Sequence, residues 1–201
     1  MKIFLIRHGE TTGDIEDRYG GDYDDYLTEK GQEQVKALAE KLKGKGIQFI
    51  YHSSRIRAYE TARILGEALD IDLREVSDMR ERNNYGVVTG MKKSEAKEKH
   101  PKEVEKLETI WMHHGVTGSE DYESFKKRVV AAFEGILDND EHDVIAIVSH
   151  GGPISCITRD ILKLGKFKSF GDCGFLELEK DSSNLKLVSL DNASLKTKIL
   201  K

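Results

Sequence analysis

Two short runs of almost wholly apolar residues constrain the fold of this chain most. They are Lys2–Ile6 (KIFLI), near the start, and Val144–Val148 (VIAIV), far along the chain. A strand without polar alternation is typical of a parallel sheet, because helices cover both faces of such a sheet. The two runs therefore predict interior strands of an α/β sheet.

Segments with helical periodicity alternate with further predicted strands. After Thr28, a suitable N-cap, apolar residues recur at i, i+3, i+4 and i+7, namely Val35, Leu38, Ala39 and Leu42. The same reasoning predicts helices at 56–69, 121–137 and from 151 to about 164. It also predicts strands at 47–51, 71–76, 175–179 and 185–190, with a long loop over 8–27. Strands that alternate with helices predict a three-layer α/β/α fold with a mostly parallel central sheet and helices on both faces.

Composition favours one domain and argues against several classes of function. The 201 residues include only 2 prolines, so no Pro-rich linker divides residues 1–201. A net charge of -4 gives no support for nucleic-acid binding, and no apolar run is long enough to span a membrane. The short apolar start is not typical of a signal peptide, and Cys156 and Cys173 lack CxxC spacing. We therefore expect a cytoplasmic protein.

Polar residues follow four of the predicted strands at the points where these strands end. The segments are Arg7-His8-Gly9-Glu10-Thr11, Ser53-Ser54-Arg55-Ile56-Arg57, Arg80-Glu81-Arg82 and Ser149-His150-Gly151-Gly152. In open α/β sheets, ligands bind beyond the carboxyl ends of the strands. Two histidines, several arginines and one glutamate are therefore expected to converge on one crevice.

The residue types in this crevice suit a phosphoryl group. Arginine donates in a planar fork that matches phosphate oxygens, and the N–H groups of Gly151 and Gly152 would open a helix toward an anion. A neutral histidine is a competent nucleophile, a second histidine protonated by its anionic neighbour stabilises charge, and a carboxylic acid protonates a leaving oxygen. No histidine or cysteine pair has metal-ligand spacing, and a GxxxxGK[ST] loop is absent.

Arg7-His8-Gly9-Glu10-Thr11 resembles the RHGE[TS] signature of the histidine phosphatase superfamily, in its phosphoglycerate mutase-like branch. The resemblance continues in order to about residue 190. Its further elements are Arg18, Gly21, Asp24, Leu27-Thr28 and Gly31 (R..G..D..LT..G), residues 53–62 (S...RA..TA), Glu81 with Tyr85-Gly86 and Gly90, Gly118-Ser119-Glu120, and Ser149-His150-Gly151-Gly152 (SHGG).

The resemblance implies a role for each matching residue. His8 would be the nucleophile that forms a phosphohistidine, and Glu81 would be the general acid and then the base. The catalytic set would be completed by Arg7, Arg57 and His150, which hold the phosphoryl group. The substrate would be bound by Arg7, Thr11, Asp14, Gly20, Gly21, Arg57, His150 and Gly151. The family chemistry implies no metal and no organic cofactor.

Three positions depart from the family pattern. Asp14 stands where an asparagine that helps bind phosphate is common, and its carboxylate would repel a phosphate dianion unless it is protonated or turned away. The Asn83-Asn84 pair lengthens the stretch from Glu81 to Gly86, and Ser155 replaces a frequent arginine. None of these changes touches the five catalytic positions, but each bears on which substrate fits.

Three functions remain open at this point. The first is a phosphomonoester hydrolase that acts on a small phosphorylated metabolite, and the others are a cofactor-dependent phosphoglycerate mutase and a non-catalytic phosphate-binding relative. Residues 83–127 contain no arginine to grip a second anionic group, which favours hydrolysis. The substrate itself and the oligomeric state stay undetermined.

Several side chains outside the catalytic set carry weaker expectations. Arg55 and Arg82 are expected to be surface charges, and Cys156 is expected to lie in the core. A small cap-like insertion is expected around 91–120. Within it, Trp111, His113 and His114 either contact the substrate or form a partly exposed loop with a core tryptophan. The local charge reversal around His8 predicts a positive pocket within an acidic protein.

Overall fold

The computed structural model describes residues 1–109, 115–182 and 184–196. Over these ranges the strands, in chain order, are β1 (Lys2–Arg7), β2 (Phe49–His52), β3 (Leu73–Glu75), β4 (Val144–Ser149), β5 (Phe167–Asp181) and β6 (Asn184–Leu195). They form one sheet with the order β3-β2-β4-β1-β5-β6. The predicted strands are thus found, and the ends of β1 to β4 shift by at most a few residues.

The sheet is parallel over β3, β2, β4 and β1 and becomes antiparallel at β5 and β6. This arrangement confirms the mostly parallel sheet. The last two strands are much longer than the sequence pattern indicates, because they pair mainly with each other as a hairpin beyond the edge of β1. Apolar alternation marks only the part of this hairpin that covers the core.

Helices lie on both faces of the sheet, as the alternation of elements predicts. They are α1 (Thr12–Ile15), α2 (Glu29–Leu42), α3 (Ile56–Leu69), α4 (Lys93–Lys99), α5 (Pro101–Thr109), α6 (Tyr122–Asn139) and α7 (Gly151–Cys156). The side chain of Thr28 accepts the N–H of Gly31 and so caps α2, which confirms the predicted N-cap.

Successive residues of β1 explain why this strand is apolar throughout. Ile3 and Leu5 pack into one core with Phe133 of α6, whereas Phe4 and Ile6 pack into a second core beneath α2 and α3. All four strand residues are fully buried. Each such burial stabilises the fold by about 1.5–3 kcal/mol, so a polar residue at any of them would be costly.

Two local predictions differ from the structure. Residues 8–27 contain α1, which forms because the side chain of Thr11 caps the N–H of Asp14 while the Asp14 carboxylate accepts the N–H of Thr11. The helix expected to run from 151 to about 164 is α-helical only over α7 and continues as a π-helical turn over Ile157–Ile161. Cys156 is buried in the core, as expected.

The segment after β3 contains a small hydrophobic cluster that is separate from the two main cores. Val88, Ala96 and Val104 form a small buried cluster of their own, to which α4 and α5 contribute. The role of the 111–114 segment stays a prediction, because Trp111, His113 and His114 lie outside the described residues. By that prediction, they either contact the substrate or form a partly exposed loop with a core tryptophan. Within the described ranges, no helix has the length and apolar character that crossing a membrane requires.

Candidate active site

The two catalytic candidates His8 and His150 lie side by side at the carboxyl ends of β1 and β4. These strands are parallel neighbours, with Arg7 opposite Ser149 in the register, so the residue after each strand enters the same crevice. The two imidazole centroids are 5.2 Å apart at an interplanar angle of 60°. Both rings are buried. The expected convergence is therefore present.

The contacts of His8 define which of its nitrogens can react. Its Nδ1 atom lies 2.8 Å from the carbonyl oxygen of Gly9, and only an N–H can donate to a carbonyl, so the proton is assigned to Nδ1. Burial, followed by the charges of Arg57 and Arg7, lowers the pKa of His8 well below its ordinary value. His8 is thus neutral, with the lone pair on Nε2.

Arg57, at the start of α3, donates hydrogen bonds from all three nitrogens of its guanidinium group. Its Nε donates to Nε2 of His8 (3.2 Å), and its Nη2 donates to the carbonyl of Gly21 (3.0 Å). Its Nη1 donates both to the carbonyl of Tyr23 (2.7 Å) and to Oδ1 of Asp25 (2.8 Å). Arg57 is 4% exposed. These contacts fix the guanidinium with its Nε edge toward His8.

His150 lies behind the crevice and is fully buried. Its Nε2 atom is 2.7 Å from the hydroxyl of Ser53, and its Nδ1 has no hydrogen-bond partner among the described residues. Burial lowers the pKa of His150 well below its ordinary value, and the charge of Arg57 adds to the effect. His150 is therefore neutral on its own, and the protonated form expected from the sequence requires an anion beside the ring.

Glu81 is fixed by two backbone donors. Its Oε2 accepts the N–H of Gly152 (3.0 Å) and its Oε1 accepts the N–H of Arg82 (2.7 Å). A Cβ on Gly152 would lie 2.0 Å from Oε1 of Glu81, so only glycine allows this approach. The Gly152 N–H thus donates to Glu81, which corrects the expectation that it would bind an anion directly. Gly151, in contrast, lines the crevice.

Asp14 is oriented by hydrogen bonds from Thr11. Its Oδ2 accepts both the backbone N–H and the hydroxyl of Thr11, each at 2.9 Å. This pair forms the capping box of α1. The carboxylate therefore has a structural partner at the place where the family pattern has an amide.

A cavity of about 180 Å³ opens in front of His8. It is lined by Arg7, His8, Thr11, Gly13, Asp14, Arg18, Gly20, Gly21, Tyr23, Asp25, Arg57, Glu81 and Gly151. Three arginines and three acidic residues thus line the cavity, and the expectation of a positive pocket stays a prediction. The sequence did not indicate Gly13, Tyr23 or Asp25 as lining residues, although all three lie between matched motif positions. Arg18 is itself a matched position, to which the resemblance gave no role.

The two arginines expected to be surface charges, Arg55 and Arg82, each connect two segments of the chain. Arg55 forms ion pairs with Asp22 (2.9 Å) and Asp24 (3.2 Å), which join the loop after β1 to the start of α3. Arg82 donates from Nε and Nη2 to the carbonyl of Glu120 (3.0 and 2.8 Å). Both arginines are partly exposed and neither lines the cavity, so their contacts connect neighbouring segments of the chain.

Potential metal ligands do not gather at the site. Among the described residues, no group of three or more histidine, cysteine, aspartate or glutamate side chains is arranged to hold a metal ion. The side chains around His8 are hydrogen-bonded to one another and to the backbone instead.

The chain matches known proteins over nearly its whole length. The family model for the histidine phosphatase superfamily (branch 1) matches residues 3–193. A protein of Enterobacter sp. (strain 638) named "Probable phosphoglycerate mutase GpmB" is 31% identical over 173 residues, which cover 82% of this chain and 76% of the relative.

Two solved structures share the fold. The α-ribazole phosphatase from Shigella flexneri superposes with a TM-score of 0.82 at 20% identity, covering 98% of this chain and 100% of the other. The mycobacterial glucosyl-3-phosphoglycerate phosphatase superposes with a TM-score of 0.78 at 25% identity, covering 96% and 99%. This chain therefore belongs to branch 1 of the histidine phosphatase superfamily and is a phosphatase of that superfamily.

Proposed function

We propose that this phosphatase hydrolyses a phosphoric monoester of a small metabolite through a phosphohistidine at His8. The observation that carries the proposal is the neutral Nε2 atom of His8, which faces a cavity of about 180 Å³ and lies 3.2 Å from Nε of Arg57. A nucleophilic lone pair, which accepts a hydrogen bond from Arg57 until it attacks, is thus held beside a group of the kind that binds phosphoryl oxygens.

The first step forms the covalent intermediate. Nε2 of His8 attacks phosphorus, the bond between phosphorus and the ester oxygen breaks, and the leaving oxygen takes a proton from the carboxylic acid of Glu81. Arg7, Arg57 and His150 bind the phosphoryl oxygens, with Gly151 close by. The N–H groups of the three side chains stabilise the negative charge that spreads over the equatorial oxygens.

The second step releases inorganic phosphate. Glu81, now a carboxylate, takes a proton from water, and the water oxygen attacks phosphorus as the bond to Nε2 of His8 breaks. Glu81 is thereby protonated again for the next cycle. Its position between the N–H groups of Gly152 and Arg82 keeps the carboxyl group aimed at the same point in both steps.

The walls of the cavity support a small substrate. Thr11, Asp14, Gly20 and Gly21 line it and would contact the substrate beyond its phosphoryl group. Two solved relatives are named as phosphatases of α-ribazole and of glucosyl-3-phosphoglycerate, which supports a phosphorylated metabolite as the substrate class.

Phosphoglycerate mutase activity is the second candidate, because a relative at 31% identity carries that name. A mutase must retain the phosphorylated enzyme and bind a second anionic group. The absence of arginine from 83–127 therefore favours transfer to water. A coupled assay of 3- to 2-phosphoglycerate conversion, with and without the bisphosphate, should give a flux far below hydrolysis; the reverse result would make the chain a mutase.

The remaining parts of the proposal concern organisation and setting. We propose that residues 1–201 form one domain, in which the segment around 91–120 is a small cap beside the cavity. The separate cluster of Val88, Ala96 and Val104 supports a distinct packing unit there. The substrate would be a small molecule in the cytoplasm, and we propose no nucleic-acid or membrane partner. The mild net charge of -4 supports this setting.

The direct test is the trapping of the intermediate. Wild-type protein mixed with para-nitrophenyl phosphate and quenched should yield an acid-labile phosphoprotein, and His8→Ala should abolish both this species and hydrolysis. His142→Ala is a matched control, because that side chain is 42% exposed and pairs with Asp140 instead of facing the cavity. Full activity in His8→Ala would contradict the proposal, and phosphate binding without turnover in the wild type would make the chain a binding protein.

A further inference from the structure

The antiparallel hairpin at the edge of the sheet has a large irregularity next to the active site. Phe170 pairs with Ala193 and Phe175 pairs with Asp191, so β5 advances by several more residues than β6 between these two pairs. We call residues 170–174 the bulge. Within it, Cys173 has φ +55°, a left-handed conformation that is uncommon for a residue other than glycine.

The bulge contacts both catalytic candidates at the end of β1. The N–H of Cys173 donates to the carbonyl oxygen of His8 (3.1 Å). The carbonyl oxygen of Phe170 accepts from Nη1 of Arg7 (2.6 Å), and Oδ1 of Asp172 lies 3.2 Å from Nη2 of Arg7. The segment thus binds the backbone of the nucleophile and the guanidinium beside it.

The bulge is itself held by close packing against β6. The side-chain amide of Asn192 donates to the carbonyl of Asp172 (2.9 Å). A Cβ on Gly171 would lie 2.3 Å from Nδ2 of Asn192, and a Cβ on Gly174 would lie 2.9 Å from the carbonyl oxygen of Gly171. The glycines therefore permit a tight local structure, which fixes where Asp172 points. β-Bulges beside active sites commonly redirect a side chain in this way.

We propose that Asp172 is a positioning residue that orients the guanidinium of Arg7 toward the phosphoryl group. The inference rests on the proposed function, in which Arg7 holds that group. Arg7 is one-quarter exposed, so without a partner its long side chain would sample several rotamers. A guanidinium has five N–H donors, and its contacts to Asp172 and Phe170 leave others to bind phosphate.

The Asp172 carboxylate also has an effect that opposes phosphate binding, because the carboxylate and the phosphate are both negatively charged. The charges of Glu10 and Asp14 act on Asp172 as further negative charges, whereas the charge of Arg7 opposes them. The Asp172 side chain is one-quarter exposed, so water screens its charge at a distance, while the contact with Arg7 is direct. Orientation of Arg7 is therefore expected to outweigh repulsion of the substrate.

Three variants separate these effects. Asp172→Ala removes the contact, Asp172→Asn keeps an acceptor oxygen without the charge, and Asp191→Asn is the control. Asp191 is on the same hairpin and pairs with Lys41 (2.8 Å) instead of Arg7. Two quantities are measured for each variant: the affinity for inorganic phosphate by calorimetry, and kcat and KM for para-nitrophenyl phosphate. The thermal midpoint reports on folding.

Asp172→Ala should weaken phosphate binding and lower kcat/KM by about tenfold, which corresponds to about 1.4 kcal/mol. Asp172→Asn should recover most of this loss, and Asp191→Asn should match the wild type. The inference is overturned if Asp172→Ala binds phosphate as well as Asp191→Asn does or more tightly, or if Asp172→Asn recovers nothing while folding normally. Phosphate affinity tests the inference even if turnover is absent, and a wild type without turnover contradicts only the proposed function.

Discussion

The Nε–H group of Arg57 donates a hydrogen bond to the Nε2 atom of His8 over 3.2 Å. In the proposed reaction the same Nε2 lone pair forms a bond with phosphorus, so this hydrogen bond breaks when the intermediate forms. The Nε–H group would then be released beside the phosphoryl oxygens. Under this proposal, Arg57 exchanges a contact with the nucleophile for a contact with the phosphoryl group.

Arg57→Lys should not restore the activity lost in Arg57→Ala, because an ammonium group cannot bridge His8 and the phosphoryl oxygens with a planar fork. We expect kcat to fall by about 10²–10³-fold in both variants, as for the loss of a donor to the transition state. Steady-state hydrolysis of para-nitrophenyl phosphate measures the effect. Arg63→Lys on the same helix is the control, since Arg63 is exposed and pairs only with Glu67 among the described residues; a similar loss there would contradict this role of Arg57.

Asp25→Ala should destabilise the fold, because it leaves the guanidinium of Arg57 buried without its carboxylate. The two side chains are 4% and 6% exposed and lie 2.8 Å apart. Breaking a buried pair of this kind typically costs about 3–5 kcal/mol. Urea denaturation should show a loss on this scale, whereas Glu67→Ala, which breaks an exposed pair, should cost about 0.5 kcal/mol or less. Equal effects of the two variants would contradict the prediction.

The free energy of unfolding should fall as the pH is lowered from 7 to 5. Burial lowers the pKa of both His8 and His150 in the folded chain, while the unfolded chain keeps the ordinary value of about 6.5. The unfolded state therefore binds more protons below that pH. Stability is at its plateau above about pH 6.5 and declines below it by up to about 1.4 kcal/mol per pH unit for each histidine.

Denaturant unfolding at pH 7, 6 and 5 measures this slope. His8→Gln should reduce it, because one buried titrating group is removed, and His142→Gln serves as the control with a partly exposed side chain. If the wild type is equally stable at pH 5 and pH 7, or if His8→Gln leaves the slope unchanged, burial does not keep His8 neutral.

Gly152→Ala should impair the step that protonates the leaving group. The added methyl would lie 2.0 Å from Oε1 of Glu81 and would displace the carboxyl group. Positioned acid catalysis typically contributes about 10²–10⁴-fold, and it matters most for poor leaving groups. We therefore expect a much larger fall in kcat for an alkyl phosphate than for para-nitrophenyl phosphate.

Gly135→Ala is the matched control for that variant. Gly135 is in α6, and an added Cβ there would have no neighbour within 4 Å. Its activity should be unchanged and its stability should rise by about 0.4–1 kcal/mol, since alanine restricts the unfolded chain. An equal fall of kcat for both esters in Gly152→Ala would argue against Glu81 as the acid.

The sequence alone determined the interior of the sheet and predicted the candidate catalytic set. The apolar run of β1 revealed a strand buried on both faces, and parallel strands bring their carboxyl ends to one edge. Residues such as His8 and His150, which directly follow strands in the chain, could therefore be placed together without coordinates. The segments that contain Arg57 and Glu81 were placed there by the same reasoning. The family resemblance then singled out these two residues, and both line the cavity.

Only the tertiary structure revealed the partners that orient this set. Tyr23 and Asp25 around Arg57, and Asp172 beside Arg7, lie in a loop and a bulge, where no periodic pattern marks which side chain points inward. The neutral state of His150 likewise depends on how many atoms bury its ring. Local periodicity encodes strands and helices, but the contacts of irregular segments depend on elements far apart in the chain, which meet only after folding.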